Sequence, residues 1–401
     1  MKIVEINGTN YSSTGNIALN IAKKAREEGF EVYTCCKNSL KSSQFRYDNQ
    51  IVIGSRYERL ISEQMAQLSG LSGSFNWIGT KEFIKKLEEI EPDLVHLHIM
   101  HDSYVNLKML FSYLSVNKIP VVWTFHDCWA FTGKCSYFEM DRCDKWKSGC
   151  YKCPQIRKYP ESYFMDMTKY LWNKKNRMFN SVDNLTIVTP SKWLSSYARE
   201  SFLKGHDIRV INNGINLDIF KPVKSDFRKK YGIEDKYLLL GVGYNWSPRK
   251  GLDSFIELSK RLDDRFRIVL VGTNDKIDEI LPDNIISIHR TYNQAELVEI
   301  YSSCDLFVNP TMEENFPTVN IESIACGLPV ITYNTGGSPE IIDETCGRVV
   351  EKGNIDKLYE GIMDIYSNPF DKSACLKRSQ LYNMNDKFAE YVELYKEILG
   401  L

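Results

Sequence analysis

Short apolar runs alternate along the chain with segments whose apolar residues recur at helical spacing. One such helical segment, residues 15–30, ends at Gly29, where a helix is expected to stop. Strands that alternate with helices form parallel sheets covered by helices, with ligands at the carboxyl ends of the strands. The pattern predicts strands at residues 1–7, 31–36, 92–98, 119–127, 184–191, 236–245, 266–272, 284–290, 305–310 and 329–334. The polar residues that end these strands in the first half are Asn7 to Gly15, His98, His126, Asp127 and Ser191.

The alternation breaks once, at VINNGINLDIFKPV, residues 210–223. Asn213-Gly214 is a turn signal there, and Pro222 closes the stretch. A chain of 401 residues suits two domains of roughly 150–200 residues each. The predicted segments are an N-terminal domain at 1–213, a C-terminal domain at 214–385, and an amphipathic last helix, 386–401, expected to pack back on the first domain.

Composition narrows the class of protein. Hydrophobic residues make up 43% and charged residues 26%, as in soluble globular proteins. The formal net charge of −1 argues against a nucleic-acid partner, which requires a basic surface. There is no apolar run of about 18 residues, and the chain starts directly with a strand rather than a signal peptide. Eleven cysteines then indicate a reducing compartment, so we predict a cytoplasmic protein.

Two glutamates stand eight positions apart in TMEENFPTVNIESIACGLPV, residues 311–330. Glu314 follows a predicted strand, while Glu322 lies inside a helix that starts near Pro317 and ends at Gly327. Glu322 shares a largely apolar face with Thr318, Val319, Ala325 and Cys326. A buried carboxylate needs hydrogen-bond donors, which a hydroxylated ligand supplies, and a helix N-terminus suits a phosphate. The stretch therefore indicates a nucleotide-sugar site; the alternative is a solvated helix with two unremarkable glutamates.

The same stretch, with the following Asn-Thr-Gly-Gly-Ser-Pro-Glu, closely resembles the E-x7-E signature of glycosyltransferase family 4. INNGINLDIFKP resembles the interdomain link of that family, and Arg249-Lys250-Gly251 stands where the family has its phosphate-binding lysine. Ser12 to Asn16 resembles the N-terminal loop that approaches the donor, and His126 ends a strand as the family's active-site histidine does. The resemblance implies a retaining enzyme of the GT-B architecture, which has two facing Rossmann-like domains with parallel sheets.

The resemblance also implies the role of each residue. His126, Glu314 and Lys250 are the expected catalytic residues: Glu314 accepts hydrogen bonds from the transferred sugar, and Lys250 neutralises the diphosphate. Glu322 is expected to hold the ribose. The other donor-binding residues are expected to be Gly15, Asn16, Arg249, Asn315, Phe316, Pro317 and Thr318, with His98 and Asp127 on the acceptor side.

The implied substrates are a UDP- or GDP-sugar and a glycan or lipid-linked glycan of a bacterial surface polysaccharide. No cofactor is expected for catalysis, because the chain has no Asp-x-Asp pair to hold a metal on the diphosphate. One position departs from the family, which carries an arginine five residues before the lysine. Asn245 stands there, and Arg249 is the residue that could substitute for it.

Five cysteines fall within the insertion at about residues 128–154. Cys150 and Cys153 form a C-x2-C pair, a spacing typical of zinc sites. The predicted structural zinc ligands are Cys135, Cys143, Cys150 and Cys153. Free or redox-variable thiols and an iron–sulfur cluster are the alternatives.

Residues 156–179 mix basic and aromatic side chains, so they could lie on an anionic membrane surface at the inner face of the cytoplasmic membrane. The favoured interpretation is a helix packed on the N-terminal domain, because its cations are few for membrane binding.

Two other functions compete with transfer. An NAD-dependent oxidoreductase would use Gly241-Val-Gly243, which lacks the third glycine of the fingerprint. The other is a nucleotide-sugar-binding protein without catalysis.

Overall fold

The structure is a computed structural model that describes residues 1–45, 47–244 and 246–401. It divides into two units, one made of residues 1–212 and 387–401 and the other of residues 213–386. Each unit is built on a wholly parallel sheet, as the alternating pattern predicts. Within the described ranges, no helix combines the length and the apolar character needed to cross a bilayer.

The first unit has a seven-stranded sheet in the order β3-β2-β1-β4-β5-β6-β7. Its strands are β1 (Lys2–Ile6), β2 (Glu31–Lys37), β3 (Gln50–Ile53), β4 (Leu94–Leu97), β5 (Val121–Thr124), β6 (Leu185–Thr189) and β7 (Asp207–Val210). Its helices are α1 (Ser12–Glu27), α2 (Arg56–Ser69), α3 (Trp77–Ile90), α4 (Leu107–Val116), α5 (Thr168–Phe179) and α6 (Lys192–Glu200). The strand order reverses between β1 and β4, which is where open parallel sheets place their ligands.

The second unit has a six-stranded sheet in the order β10-β9-β8-β11-β12-β13. Its strands are β8 (Tyr237–Val242), β9 (Phe266–Val271), β10 (Ile285–Ile288), β11 (Leu306–Asn309), β12 (Val330–Tyr333) and β13 (Gly347–Val350). Its helices are α7 (Phe227–Tyr231), α8 (Leu252–Arg261), α9 (Asp275–Asp278), α10 (Gln294–Ser303), α11 (Thr318–Ala325), α12 (Ser338–Ile341), α13 (Ile355–Ser367) and α14 (Lys372–Ser379). The reversal point lies between β8 and β11.

The last helix, α15 (Met384–Leu399), returns to the first unit. Its inward face is almost fully apolar and aromatic, with Phe388, Tyr391 and Tyr395 all buried. The Tyr391 ring stacks on His96 at 5.5 Å between centroids, and the Tyr395 ring packs edge-on against Phe30 at 6.4 Å. The C-terminal segment therefore supplies part of the core of the unit that the N-terminal residues begin.

Candidate active site

Glu314 lies in the loop between β11 and α11. Helix α11 begins one residue after Pro317, near which the sequence predicts its start. Pro317 precedes the first helical turn as an extended N-cap with φ −72°, and Thr318 is the first helical residue. The helix ends as predicted, because Gly327 adopts φ +75° and the Leu328 N–H donates to Ser323 O at 3.0 Å. No side chain at the N-cap position accepts from the first N–H groups of α11.

Lys250 and Glu314 form a direct ion pair. Lys250 Nζ lies 2.6 Å from Glu314 Oε2, and Glu314 Oε1 accepts from its neighbour's N–H, that of Asn315, at 3.1 Å. Burial alone would raise the pKa of Glu314, but the adjacent Lys250 ammonium and the Arg249 guanidinium bring it below its usual value. Glu314 is therefore held as a carboxylate that can accept hydrogen bonds.

Two glycines make this pairing sterically feasible. Gly251 adopts φ +78°, and a Cβ at this position would collide with Pro310 O, so the turn that carries Lys250 can approach the loop after β11. Gly336 adopts φ +56°, and a Cβ there would collide with Glu314 O. The Gly-Gly pair that follows β12 thus supports the glutamate loop from the other side.

Arg249 is directed at the backbone of the glutamate loop. Its Nη1 donates to Glu313 O at 2.9 Å, and the Met312 N–H donates to Arg249 O at 2.8 Å. This arginine therefore fixes the loop and adds positive charge near Glu314. Asn245, where the family has its arginine, lies outside the described residues.

Glu322 has protein partners for its carboxylate. Tyr301 on α10 donates its hydroxyl to Glu322 Oε2 at 3.1 Å, and Thr318 on the preceding turn also hydrogen-bonds it. Burial nevertheless raises the pKa of Glu322 to about 7, against the opposing effect of these two hydroxyls. The sequence analysis did not identify Tyr301, although its place beside buried Val298 and Ile300 on α10 would have marked it as an inward-facing phenol.

Asn315 and Phe316 lie in the same loop with their backbone carbonyls engaged. The Gly337 N–H donates to Asn315 O at 2.6 Å, and Asn213 Nδ2 donates to Phe316 O at 3.3 Å. The Phe316 side chain is buried and packs against Tyr382 at 5.9 Å between centroids. Its ring therefore belongs to the core, and only its backbone is available to a ligand.

Gly15 and Asn16 lie in the first turns of helix α1 rather than in a loop. The prediction of a loop is wrong for Ser12 to Thr14, because α1 begins at Ser12, whereas Gly15 and Asn16 lie in the helix that the apolar pattern predicts for residues 15–30. Gly15 packs directly on the preceding turn, where a Cβ would come within 3.0 Å of Thr9 O. The small, polar residues at the start of α1 thus allow the helix to begin close to the end of β1.

His126 follows β5 and contacts a second predicted residue, His98, which follows β4. His98 Nδ1 and His126 Nε2 are 3.1 Å apart, and their rings stack at 5.4 Å between centroids. Burial lowers the pKa of each to about 3, so both imidazoles are neutral at ordinary pH. Other strand-end residues have structural roles: Ser191 caps α6, and Asn7 accepts from the Ile99 N–H.

Asp127 is paired with a histidine that the sequence analysis did not identify. Its Oδ2 lies 3.1 Å from His101 Nε2, and its Oδ1 accepts from the Trp129 N–H at 2.8 Å. Burial alone would lower the pKa of His101, but Asp127 and Asp102 raise it to about 9. His101 is therefore an imidazolium, in contrast to the neutral pair at His98 and His126.

A polar cavity of about 220 Å³ opens beside His101 within the first unit. Asp102 lies in its wall, where it accepts from Lys37 Nζ at 2.6 Å and from the Tyr159 hydroxyl at 2.6 Å. The remaining wall residues include Arg59, Glu63, Gln67 and Ser72. Its wall therefore carries both cationic and carboxylate side chains.

The four predicted zinc ligands lie in one electrostatically connected cluster. Burial raises the pKa of Cys135 to about 12, and electrostatic interaction with Cys143, Cys150 and Cys153 acts in the same direction. The Gly133 N–H donates to Cys150 Sγ at 3.1 Å. Among the described residues, however, the groups of three ligand atoms within 4.8 Å of one another are Glu5-His96-His98 and Asp275-Asp278-His289, without a cysteine. Zinc binding would require the four sulfurs to draw closer together.

The basic and aromatic stretch at residues 156–179 is helical only in α5, and two of its lysines point into the protein. Lys175 Nζ donates to Trp129 O at 2.7 Å and to Thr132 O at 3.1 Å, and it lies 3.3 Å from the centre of the Trp129 ring. Lys174 Nζ donates to Ser74 Oγ at 2.8 Å. Lys175 therefore joins α5 to the insertion, and Lys174 joins α5 to the loop before α3.

Gly241, the first glycine of the pair considered for NAD binding, has a packing role. Gly241 lies inside strand β8, and a Cβ there would collide with Phe255 of α8 and with Leu270 of β9. In a dinucleotide fingerprint the glycines form the turn that follows the strand. Gly241 is instead required so that α8 can pack closely on the sheet.

The chain matches two families of known proteins. Residues 14–219 match the family described as Glycosyltransferase Family 4, and residues 223–385 match the family described as Glycosyl transferases group 1. WcaC of Escherichia coli K12, a putative colanic acid biosynthesis glycosyl transferase, is 23% identical over 319 residues, covering 77% of each chain.

Two solved structures have a similar fold over nearly the whole chain. Sucrose-phosphate synthase from Thermosynechococcus elongatus has a TM-score of 0.72 at 16% identity, covering 100% of this chain and 99% of its own. Anabaena Alr3699/HepE in complex with UDP-glucose has a TM-score of 0.67 at 15% identity, covering 98% of this chain and 100% of its own. At these identities the similarity is one of fold.

Proposed function

Because the chain belongs to glycosyltransferase family 4, we propose that it transfers a sugar from a UDP- or GDP-sugar with retention of the anomeric configuration. It is a glycosyltransferase of the GT-B fold, with two parallel-sheet α/β domains. The proposed acceptor is a glycan or lipid-linked glycan of a bacterial surface polysaccharide. The colanic acid relative and the UDP-glucose complex of a similar structure support this assignment.

The observation that carries the proposal is the Lys250–Glu314 ion pair beside the N-terminus of α11. A diphosphate that meets Lys250 gains an ammonium partner, and the first N–H groups of α11 supply further donors. Negative charge grows on the diphosphate as it leaves, so both groups bind the transition state more tightly than the ground state. Glu314, kept ionised by Lys250 and Arg249, accepts hydrogen bonds from hydroxyls of the transferred sugar.

Glu322 accepts hydrogen bonds from the ribose in this proposal. Tyr301 and Thr318 hold its carboxyl from one side, and the ribose hydroxyls replace water on the other. Since burial raises the pKa of Glu322 to about 7, two further donors would favour its ionised form. Nucleotide binding and ionisation of Glu322 are therefore coupled.

The transfer step follows from the expected retention. The acceptor hydroxyl attacks the anomeric carbon on the face that the diphosphate leaves, so the new C–O bond forms as the bond to the phosphate oxygen breaks. The hydroxyl proton passes to that phosphate oxygen. His126 is proposed to contact the transferred sugar and Asp127 to line the acceptor side, while His98, which is 2% exposed, lies behind His126.

Purified protein incubated with a panel of UDP- and GDP-sugars tests the proposal. Release of UDP or GDP is measured with and without a lipid-linked acceptor, and NMR of the product determines its anomeric configuration. We expect turnover of one or a few of these donors, with a product that keeps the donor's configuration. An inverted product, or no consumption of any donor in the panel, would contradict the proposal. Melting curves with UDP, GDP and NAD give a second measurement, since only the first two should stabilise the protein.

A further inference from the structure

A buried row of polar side chains lies behind His126. Glu5 on β1, His98 after β4 and His126 after β5 come from three strands that are adjacent in the sheet. Glu5 Oε2 is 3.5 Å from His98 Nε2, and His98 Nδ1 is 3.1 Å from His126 Nε2. Glu5 and His98 are each 2% exposed. A carboxyl group and two imidazoles therefore form one continuous chain of contacts.

The contact between Glu5 and His98 joins two buried atoms that lack other partners. Within the part of the chain that the structure describes, neither Glu5 Oε2 nor His98 Nε2 has a hydrogen bond elsewhere. An unpaired buried polar atom costs roughly 1–3 kcal/mol. A small movement that closes the 3.5 Å separation satisfies both atoms at once, so we treat this contact as a hydrogen bond.

The hydrogens of this chain have three consistent arrangements. A neutral imidazole carries one N–H, so His98 must donate through one nitrogen and accept through the other. If Glu5 is ionised, or protonated on Oε1, its Oε2 accepts from His98, which accepts from His126 Nε2. If Glu5 is protonated on Oε2, it donates to His98, which then donates to His126 Nε2. A proton on Glu5 Oε2 thus places the hydrogen of His126 on Nδ1.

The charges around Glu5 favour its protonated form. The Tyr395 hydroxyl lies 3.3 Å from Glu5 Oε1 and 2.5 Å from His96 Nδ1. His96 and the Cys35 thiol are both neutral neighbours, and burial lowers the pKa of that histidine. Arg26 is the cation that acts on Glu5, but its guanidinium donates to Val32 O at 2.8 Å. Because isolated buried charge is expensive, the protonated form is preferred, and since the Tyr395 hydroxyl donates to Oε1, the proton lies on Oε2.

We propose that Glu5 carries a proton on Oε2 and, through His98, fixes the hydrogen of His126 on Nδ1. Glu5 and His98 are then positioning residues, and His126 meets its ligand as a neutral hydrogen-bond donor through Nδ1. The catalytic meaning of this arrangement rests on the proposed function, in which His126 contacts the transferred sugar. The arrangement itself can be tested without any substrate.

A divalent cation between Glu5, His96 and His98 is the competing explanation, since their ligand atoms lie within 4.8 Å of one another. Both nitrogens of His96 already have partners, however: the Tyr395 hydroxyl at 2.5 Å and Thr124 Oγ1 at 2.8 Å. A metal would have to displace one of these hydrogen bonds. The hydrogen-bonded chain requires no such rearrangement.

The experiment uses the full chain labelled with ¹⁵N-histidine, which has six histidines. Long-range ¹H–¹⁵N spectra identify the protonated nitrogen of each ring, and the His126→Gln variant assigns the His126 signals. We expect His126 to be protonated at Nδ1 in the wild type, with or without a chelator. Glu5→Gln should keep this tautomer because its amide can donate to His98, whereas Glu5→Met should shift His126 toward protonation at Nε2. Nε2 protonation in the wild type overturns the proposal even if Glu5→Met fails to fold.

Kinetics then test the catalytic meaning. In Glu5→Met we expect kcat for sugar transfer to fall roughly 10- to 100-fold with little change in the donor KM, as when an orienting group is lost. Glu5→Gln should recover most of that loss, and His206→Gln, a surface variant, should leave transfer unchanged. An unchanged kcat in folded Glu5→Met overturns the positioning role. If the wild type turns over no nucleotide sugar, the proposed function fails, while the spectra still decide the inference about Glu5.

Discussion

Lys250 Nζ lies 2.6 Å from Glu314 Oε2, so the cation proposed to hold the diphosphate also neutralises the carboxylate proposed to bind the sugar. The two residues are 64 positions apart and stand on the loops that follow β8 and β11, the strands at the reversal point of the sheet. A single ammonium group therefore connects the two halves of the proposed donor.

Replacing Lys250 by Met should reduce transfer by about 100-fold or more, because a preorganised charge on the leaving group is lost. The same change removes the ion-pair partner of Glu314, so the pKa of Glu314 should rise. Because the carboxylate form binds the sugar in this proposal, the residual activity should move to higher pH. Lys260→Met, at the exposed end of α8, is the matched control and should leave kcat unchanged. Loss of less than about threefold in Lys250→Met would remove this lysine from the proposed site.

Glu322 predicts a pH dependence of stability. Its pKa is about 7 in the folded protein against an ordinary value of 4.5, so the folded state binds the proton more tightly. Stability is therefore full below pH 4.5 and falls as the pH rises to 7, by roughly 3 kcal/mol at most. Denaturant unfolding between pH 4.5 and 8 should show a loss of stability that is larger in the wild type than in Glu322→Gln, since His101 contributes to the loss in both. Equal slopes of stability against pH in the two proteins would contradict the raised pKa of Glu322.

Nucleotide binding should report the same ionisation. If the ribose hydroxyls donate to the Glu322 carboxylate, the affinity for UDP or GDP should increase between pH 6 and pH 8. Calorimetric titration measures this affinity at each pH. Tyr301→Phe should weaken nucleotide binding, because it removes a hydroxyl that orients the Glu322 carboxylate. A pH-independent affinity would place the ribose elsewhere.

His101 predicts a second loss of stability at higher pH. Asp127 and Asp102 raise its pKa to about 9 from 6.5, despite burial. This contribution is fully present below pH 6.5 and is lost as the pH rises through 9, by roughly 3 kcal/mol at most. His101→Gln should be less stable than wild type at pH 6.5, and the difference should shrink by pH 9.5. His206→Gln is the control; a pH-independent difference would mean that His101 acts by packing alone.

Zinc binding at the four predicted cysteines can be tested by metal analysis and by melting temperature. Four thiolates and Zn²⁺ carry a net charge of −2, which the buried ammonium groups of Lys134 and Lys175 would balance. We expect elemental analysis of purified protein to find one zinc per chain. Cys150→Ser and Cys153→Ser should lose it and melt at lower temperature. Cys375→Ser, in the second unit, should retain it. Metal-free wild type with an unchanged melting temperature in Cys150→Ser would exclude the site.

The alternating pattern located the interior strands and one edge strand, β10, and it omitted three edge strands. Strands β3, β7 and β13 were not predicted, and each lies at an edge of its sheet. Edge strands are partly exposed, so their apolar runs are short, as the single fully buried position of β7 illustrates. A period-two or continuous apolar signal is strong only where both faces of a strand are covered.

The proposed donor residues could be located from the sequence, but the contacts that hold them could not. Glu314 and Glu322 lie in the loop and the helix that their local pattern predicts. Lys250 and Tyr301 meet them only through the tertiary fold, across 64 and 21 residues. Likewise, no local signal connects Glu5 with His98, because adjacent parallel strands are separated by long crossovers.

The return of α15 to the first unit affects the order in which the protein matures. Synthesis releases residues 213–386 before residues 387–401, so the second unit has its whole sequence available first. Until Tyr391 and Tyr395 arrive, the first unit lacks the aromatic side chains that cover His96. The unit that leaves the ribosome first is therefore completed last, and translation that stops after residue 386 leaves a finished second unit joined to an open first one.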